Sequence, residues 1–196
     1  MRLLRRIPLF AYGVLAALLL GWLVFPSLLY RRIDQPLQFS HALHTSESVG
    51  LSCQDCHSID EAGNFSGVPS VRSCANCHED MLGESDSERR LVEDYVAKGR
   101  EIDWLVYSRQ PDNVRFSHAA HVMAANLECA RCHGTHGSTD HLRPLEKNRV
   151  SGYPRDIWGH SISRFASAHS TGMKMGDCCD CHQRAGVKTA CLDCHR

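Results

Sequence analysis

Ten of the eleven cysteines form five pairs in which two residues separate the thiols and a histidine follows directly. The cysteines are Cys53 and Cys56, Cys74 and Cys77, Cys129 and Cys132, Cys178 and Cys181, and Cys191 and Cys194, and the histidines that follow are His57, His78, His133, His182 and His195. This spacing is typical of c-type haem attachment, in which each thiol bonds one vinyl group of a porphyrin. The adjacent imidazole is then placed to bind the iron. The sequence therefore predicts at least five haem c groups.

Two other chemistries use paired cysteines. Tetrahedral zinc sites combine Cys and His, and exported proteins form disulfides or carry reactive dithiols. Neither requires a histidine directly after every pair, so we favour haem. We call the five Cys-x-x-Cys-His segments the first to fifth motifs, in chain order. Cys179 belongs to none of the pairs and lies inside the fourth motif. It is either a partly buried free thiol or a single thioether to an additional haem.

Eight further histidines are candidates for the second axial ligand of each iron. They are His41, His44, His118, His121, His136, His141, His160 and His169. Five irons can thus all be bis-histidine, which predicts low-potential haems without an open iron position. An enzyme that handles nitrite or hydroxylamine needs such a position, so we expect a non-catalytic electron-transfer subunit. The three remaining histidines would suffice to hold a sixth haem.

Two segments at residues 39–44 and 116–121 are near copies, Phe-Ser-His-Ala-Leu-His and Phe-Ser-His-Ala-Ala-His. Imidazoles three positions apart lie close together on a helical turn, so one turn can serve two neighbouring haems. This predicts stacked haems. His160 and His169 precede the fourth motif and are the predicted distal ligands of the C-terminal pair of haems. His136 and His141 lie in a Gly-rich loop and stay unassigned.

The elements that position these groups contain few apolar side chains that could form a core. We expect the porphyrins to form the core of residues 39–196, with thioethers and iron ligands fixing a mostly irregular chain with short α-helices. One longer helix is predicted after Ser85, where Ser85 and Glu88 form a capping box, and Gly99 ends it.

The N-terminus differs in composition from the rest of the chain. Residues 1–6 contain three arginines, and residues 7–30 contain no charged side chain, whereas about 20 apolar residues suffice to cross a bilayer. The apolar run exceeds a signal-peptide core, so we expect an uncleaved transmembrane anchor, with a removed signal peptide as the alternative. By the positive-inside rule residues 1–6 are cytoplasmic, 31–38 a linker and 39–196 a periplasmic multihaem domain, attached to the inner membrane by a single pass.

The chain has 22 Lys and Arg against 22 Asp and Glu. It therefore has no excess of positive charge that would favour binding to nucleic acid.

The combination Phe-x-His-x-x-His followed by Cys-x-x-Cys-His resembles the small periplasmic tetrahaem cytochromes c of class III. Residues 104–134 look more closely like the anchored pentahaem subunit of alternative complex III and the multihaem subunit of the menaquinone reductase complex, Qrc. The resemblance covers nearly the whole chain, and the five motif histidines and the two copied segments match as ligands.

The resemblance implies electron relay between a soluble periplasmic multihaem cytochrome c and the menaquinone pool. It also implies three neighbouring subunits: an iron-sulfur protein, a molybdopterin-type large subunit and a polytopic quinone-binding subunit. We favour Qrc, and hence menaquinone reduction, because Cys179 and the spare histidines could accommodate a further haem. The alternatives are the quinol-oxidising subunit of alternative complex III and a stand-alone quinol dehydrogenase cytochrome that feeds a periplasmic reductase.

Overall fold

The computed structural model describes residues 9–106, 108–154 and 173–195. Its α-helices are Leu9–Leu19, Phe25–Leu28, His41–His44, Cys53–Cys56, Val71–Ala75, Asp86–Arg90, Ala130–His133, Met175–Arg184 and Cys191–Cys194. Leu20–Val24, Leu91–Val96 and Ala119–Ala124 are π-helical, and Gly134–Ser138 is a 3₁₀-helix. Each of the five motifs overlaps one of these short helices, which agrees with the predicted chain of short α-helices.

The sequence predicted a transmembrane anchor over residues 7–30, and the described part of this segment is helical from Leu9 to Leu28. Its described part is divided into Leu9–Leu19, the π-helix Leu20–Val24 and Phe25–Leu28. Within the described residues, none of the helices combines the length and the apolar character that crossing a bilayer takes.

Two strands join the start of the chain to its middle. Strand β1, Tyr30–Ile33, pairs antiparallel with strand β2, Leu145–Asn148, in a register that sets Tyr30 opposite Asn148. This pairing connects the beginning of residues 31–38, the predicted linker, to the part of the chain that follows the third motif.

The buried apolar core of the described residues is small. It consists of Leu37, Val71, Leu91, Tyr95 and Ile102, with Trp104 and Val96 packed against it. Two of these side chains come from the helix predicted after Ser85, which the structure contains as Asp86–Arg90 continued by Leu91–Val96. This core lies beside the second motif, so packing in this core does not hold the other four motifs in place.

The predicted capping box at the start of this helix is only half formed. The Ser85 hydroxyl accepts the backbone N–H of Glu88 at 3.1 Å. The Glu88 side chain, however, accepts the backbone N–H groups of Leu82 at 2.7 Å and Gly83 at 2.8 Å. The prediction was wrong on this carboxylate because a nearby loop offers it donors that a local sequence pattern does not reveal.

The first copied segment packs against the Gly-rich loop after the third motif. The backbone N–H of Ala42 donates to the carbonyl of Thr139 at 3.1 Å, and the Thr45 hydroxyl donates to the carbonyl of Gly137 at 3.2 Å. These bonds bring His136 of this loop to the copied segment, although the two lie far apart in sequence.

Candidate functional site

The two copied segments have the same ring geometry. Phe39 meets His41 edge-on with ring centres 4.9 Å apart and stacks on His44 at 4.2 Å. Phe116 meets His118 edge-on at 4.9 Å and stacks on His121 at 4.6 Å. The phenylalanine of each copy therefore holds both imidazoles of its turn at a fixed mutual orientation.

A second shared feature fixes the ring of the later histidine in each copy. The Nδ1 atom of His44 lies 2.8 Å from the carbonyl oxygen of Ser40, and the Nδ1 atom of His121 lies 2.8 Å from the carbonyl oxygen of Ser117. A carbonyl oxygen only accepts, so Nδ1 carries the hydrogen of these bonds. With the hydrogen on Nδ1, the other ring nitrogen, Nε2, is the atom that can bind a metal.

Each of these histidines faces a motif histidine across a gap of nearly constant width. Ring centres are 6.2 Å apart for His44 and His78 and 6.0 Å apart for His121 and His182. Because a metal–imidazole bond is about 2 Å long, two imidazoles on opposite sides of one metal have ring centres roughly 6 Å apart. These spacings fit a haem iron bound between each pair.

A third pair comes from the first histidine of the second copy. His118 and His133 lie with ring centres 6.4 Å apart and only 3° between their planes. Burial lowers the pKa of His118, followed by the charges of His133 and His121, so the ring is neutral near neutral pH and able to bind a metal. The second copy thus reaches the third and the fourth motif at once.

The fourth motif has a described imidazole opposite its own, because His121 faces His182. His160 and His169, the predicted distal ligands of the C-terminal pair of haems, both lie outside the described residues. His195 of the fifth motif is anchored by its neighbour, because the N–H of Arg115 donates to the carbonyl of Cys194 at 2.7 Å.

The first motif lies in a group of three histidines, His41, His57 and His136. Its own His57 has Nδ1 bound to the carbonyl oxygen of Gly67 at 2.7 Å. The Nδ1 atom of His41 is buried and has no hydrogen-bond partner among the described residues. His136 lies with its ring centre 4.5 Å from that of His41. Burial, followed by the charge of His41, lowers the pKa of His136 to about 4.

None of the eleven cysteines is joined to another by a disulfide. Thiols of different motifs lie near one another. Burial raises the pKa of Cys129, and the charge and hydrogen bond of Cys53 act in the same direction. Burial likewise raises the pKa of Cys132, with Cys181 adding to the shift. The third motif therefore lies between the first and the fourth.

The second motif lies next to the first, and the fifth motif lies next to the fourth, so that the five motifs form a row. Burial raises the pKa of Cys74, and Cys56 of the first motif is the next contribution. For Cys178, burial again raises the pKa most, and Cys194 of the fifth motif is among the smaller contributions. The motifs follow one another in space as second, first, third, fourth and fifth.

The remaining candidates do not join these pairs. Cys179 is exposed on the helix Met175–Arg184, and His141 is exposed in the loop after the third motif. In the described part of the chain no three His, Cys, Asp or Glu side chains converge as a metal-ion site would require. The groups present instead fit haem, which needs two thiols and two opposed imidazoles.

One functional contact escaped the sequence prediction. The Nδ1 atom of His78 lies 2.9 Å from Oε1 of Glu88, whose side chain is only 11% exposed. The N–H of Leu82 holds the pKa of Glu88 below its ordinary value, and His78 acts in the same direction. A glutamate ten residues after a motif histidine, across a turn, is the signal that could have identified it.

The comparison with known families defines the class of protein. Residues 27–101, which include the first two motifs, match the class III cytochrome c family. Together with the opposed imidazoles, this match indicates the class III cytochrome c fold for that part of the chain, a fold that binds haem c covalently.

A curated relative narrows the class. The chain is 38% identical over 202 residues to "Menaquinone reductase, multiheme cytochrome c subunit" of Nitratidesulfovibrio vulgaris (strain Hildenborough), with 95% of this chain and 89% of that protein covered. The chain belongs to this family of multihaem cytochrome c subunits of menaquinone reductase.

Proposed function

We propose that the protein relays electrons from a soluble periplasmic multihaem cytochrome c toward the menaquinone pool, as a subunit of a membrane complex. The observation that carries the proposal is the set of opposed imidazoles at 6.0 to 6.4 Å beside adjoining cysteine motifs. The name of the relative, a menaquinone reductase subunit, supports the choice of menaquinone.

The axial ligands follow from the ring geometry. We assign His44 to the iron of the His78 motif, and the pairs His118 with His133 and His121 with His182 to the next two irons. The equivalence of the two copied segments assigns His41 to the His57 motif, beside which it lies. One of His160 and His169 is then the second axial ligand of the iron that His195 binds.

This assignment accounts for five haems. His136, His141 and Cys179 are left over, together with one of His160 and His169, and they are the groups available to a sixth haem. The ten motif cysteines form the thioethers of the five. Cys179 lies one position out of register with the fourth motif, so it cannot replace Cys178 at the required two-residue spacing.

The chemistry divides between cofactor and chain. Haem c, when bound, supplies the one-electron chemistry. The chain provides two imidazoles for each iron, which leaves no position open to a substrate and favours low potentials. Carbonyl and carboxylate acceptors at Nδ1 and the stacked phenylalanine rings keep the ligands in place, so their geometry changes little between oxidised and reduced states.

The spatial order of the motifs supports a linear relay. The second motif lies at one end of the row, next to the helix Asp86–Arg90, and the fifth lies at the other. We propose that electrons enter and leave at these two ends, with the first, third and fourth motifs between them.

The partners we propose are an iron-sulfur protein, a molybdopterin-type large subunit and a polytopic quinone-binding subunit. The haem domain lies on the periplasmic side of the inner membrane. Exposed apolar side chains along the N-terminal segment, such as Leu9 at 90% and Phe10 at 81%, support attachment of this segment to the membrane or to a membrane subunit.

Extraction of native membranes with mild detergent tests the proposal. A native gel stained for haem, followed by mass spectrometry, should find the chain in a band with an iron-sulfur protein and a polytopic subunit, well above its own 21.9 kDa. The same band should reduce a menaquinone analogue when supplied with reduced periplasmic cytochrome c. A haem band containing this chain alone, or only one periplasmic reductase, would contradict the proposal.

A further inference from the structure

The Glu88 carboxylate is enclosed by three N–H donors. Its Oε1 atom accepts from the N–H of Leu82 at 2.7 Å and from Nδ1 of His78 at 2.9 Å, and its Oε2 atom accepts from the N–H of Gly83 at 2.8 Å. A Cβ atom at position 83 would lie 2.9 Å from that Oε2, so the close approach depends on glycine. The Glu88 carboxylate is thus held by backbone N–H groups of the loop that follows the second motif.

The acceptor on His78 differs in charge from those on other ligand candidates. His44, His57 and His121 each have Nδ1 on a neutral backbone carbonyl, at 2.7 to 2.8 Å. A hydrogen bond to an ionised carboxylate is roughly twice as strong as one between neutral groups. It also moves electron density toward Nε2, the atom that faces the iron, and makes the imidazole a stronger donor.

We propose that Glu88 is a positioning residue that lowers the reduction potential of the haem held by the second motif. A more electron-rich axial imidazole stabilises oxidised iron relative to reduced iron, and the negative charge behind the ring acts in the same direction. The inference rests on the proposed assignment of His78 as an iron ligand.

The position of this motif gives the effect a consequence for the relay. The second motif ends the row of motifs, next to the first. A lowered potential at that end makes it the more reducing terminus, so an electron that arrives there moves downhill toward the centre. This is the terminus that a strongly reducing periplasmic donor would use.

The variant Glu88→Gln in the full, haem-loaded complex tests the inference by potentiometric titration followed by visible and EPR spectroscopy. We expect the midpoint potential of one haem to rise and its EPR signal to shift, while the other haems and the haem stain stay as in the wild type. The matched control is Glu84→Gln, which removes the same charge from an exposed side chain of the same loop and should move no haem comparably. Potentials that coincide in Glu88→Gln and wild type, or an equal shift in Glu84→Gln, would overturn the inference.

Two more variants keep the outcome decisive. If Glu88→Gln does not accumulate with haem, Glu88→Asp keeps the charge but is too short to hold both the loop and His78, so it should raise the potential of the same haem by less. Unchanged potentials in Glu88→Asp would then count against the inference. His78→Met separates the two proposals: if it alters one haem and the Glu88 variants alter none, only the role of Glu88 fails, whereas no change in His78→Met removes the ligand assignment itself.

Discussion

The imidazole rings of His118 and His133 lie almost parallel, with 3° between their planes and 6.4 Å between their centres. One ring belongs to a turn capped by Ser117, whose hydroxyl accepts the N–H of Ala120 at 3.2 Å. The other ends the helix Ala130–His133 of the third motif. Two short local elements thus place two nitrogens on opposite sides of one gap.

Replacing His118 by methionine should raise the potential of one haem. Methionine opposite histidine gives a higher potential than two histidines, because the thioether is a weaker donor to oxidised iron. Potentiometric titration of the purified complex measures the shift. Val150→Met is the control, since it introduces the same thioether at a side chain that is 85% exposed. An unchanged set of potentials in His118→Met would exclude His118 as an axial ligand.

The doubled cysteine of the fourth motif makes a clean test of haem attachment. Cys178→Ser should remove one thioether bond, because Cys178 has the two-residue spacing to Cys181 that attachment requires. Cys179→Ser should leave all five motif haems attached, because its exposed thiol lies out of register. Mass spectrometry of the intact chain counts the haems of each variant. Loss of a haem from Cys179→Ser alone would instead assign this thiol to a sixth haem.

Removing the ring of Phe116 should lower the stability of the haem domain. Phe116→Leu loses the stacked contact with His121 and the edge contact with His118, which is about 1 kcal/mol beyond the apolar area. Guanidinium unfolding followed by haem absorbance reports the change as a lower midpoint. Val150→Ala serves as a control, because this side chain is 85% exposed. Equal midpoints in Phe116→Leu and wild type would show that the ring does not hold the ligands.

Leu91, in the small apolar core, and Leu82, outside it, are a matched pair for measuring how much this core stabilises the domain. Leu91→Ala should destabilise the domain by about 2 to 4 kcal/mol, because it leaves a cavity among buried side chains, and Leu91 is 9% exposed in the core cluster. Leu82→Ala should have little effect, because that side chain is 71% exposed. Denaturant midpoints of the two variants check the difference. Similar midpoints would mean that the haem sites, and not this cluster, determine stability.

Local chemistry accounts for what sequence predicted well. A thioether pair and its axial histidine lie within five consecutive residues, so each motif could be recognised without knowledge of the fold. The copied turns at 39–44 and 116–121 are almost as local, because their caps and Phe–His contacts span at most six residues. The class of protein follows from these segments alone.

The ligand pairs depend on long-range placement. His121 faces His182 and not a histidine nearer in sequence, and His136 reaches His41 through backbone bonds between two loops. Glu88 has the sequence pattern of a capping box, yet its carboxylate binds His78. In each case several partners of similar chemistry were available along the chain.

The sequence by itself therefore determined the haem class, the five attachment motifs and the supply of axial imidazoles, because those are properties of residue type and short spacing. Tertiary structure decided which imidazole faces which motif, the order of the motifs in space and the charge behind His78. Those depend on which loops meet, and loop contacts are set by long-range hydrogen bonds and packing that no local pattern encodes.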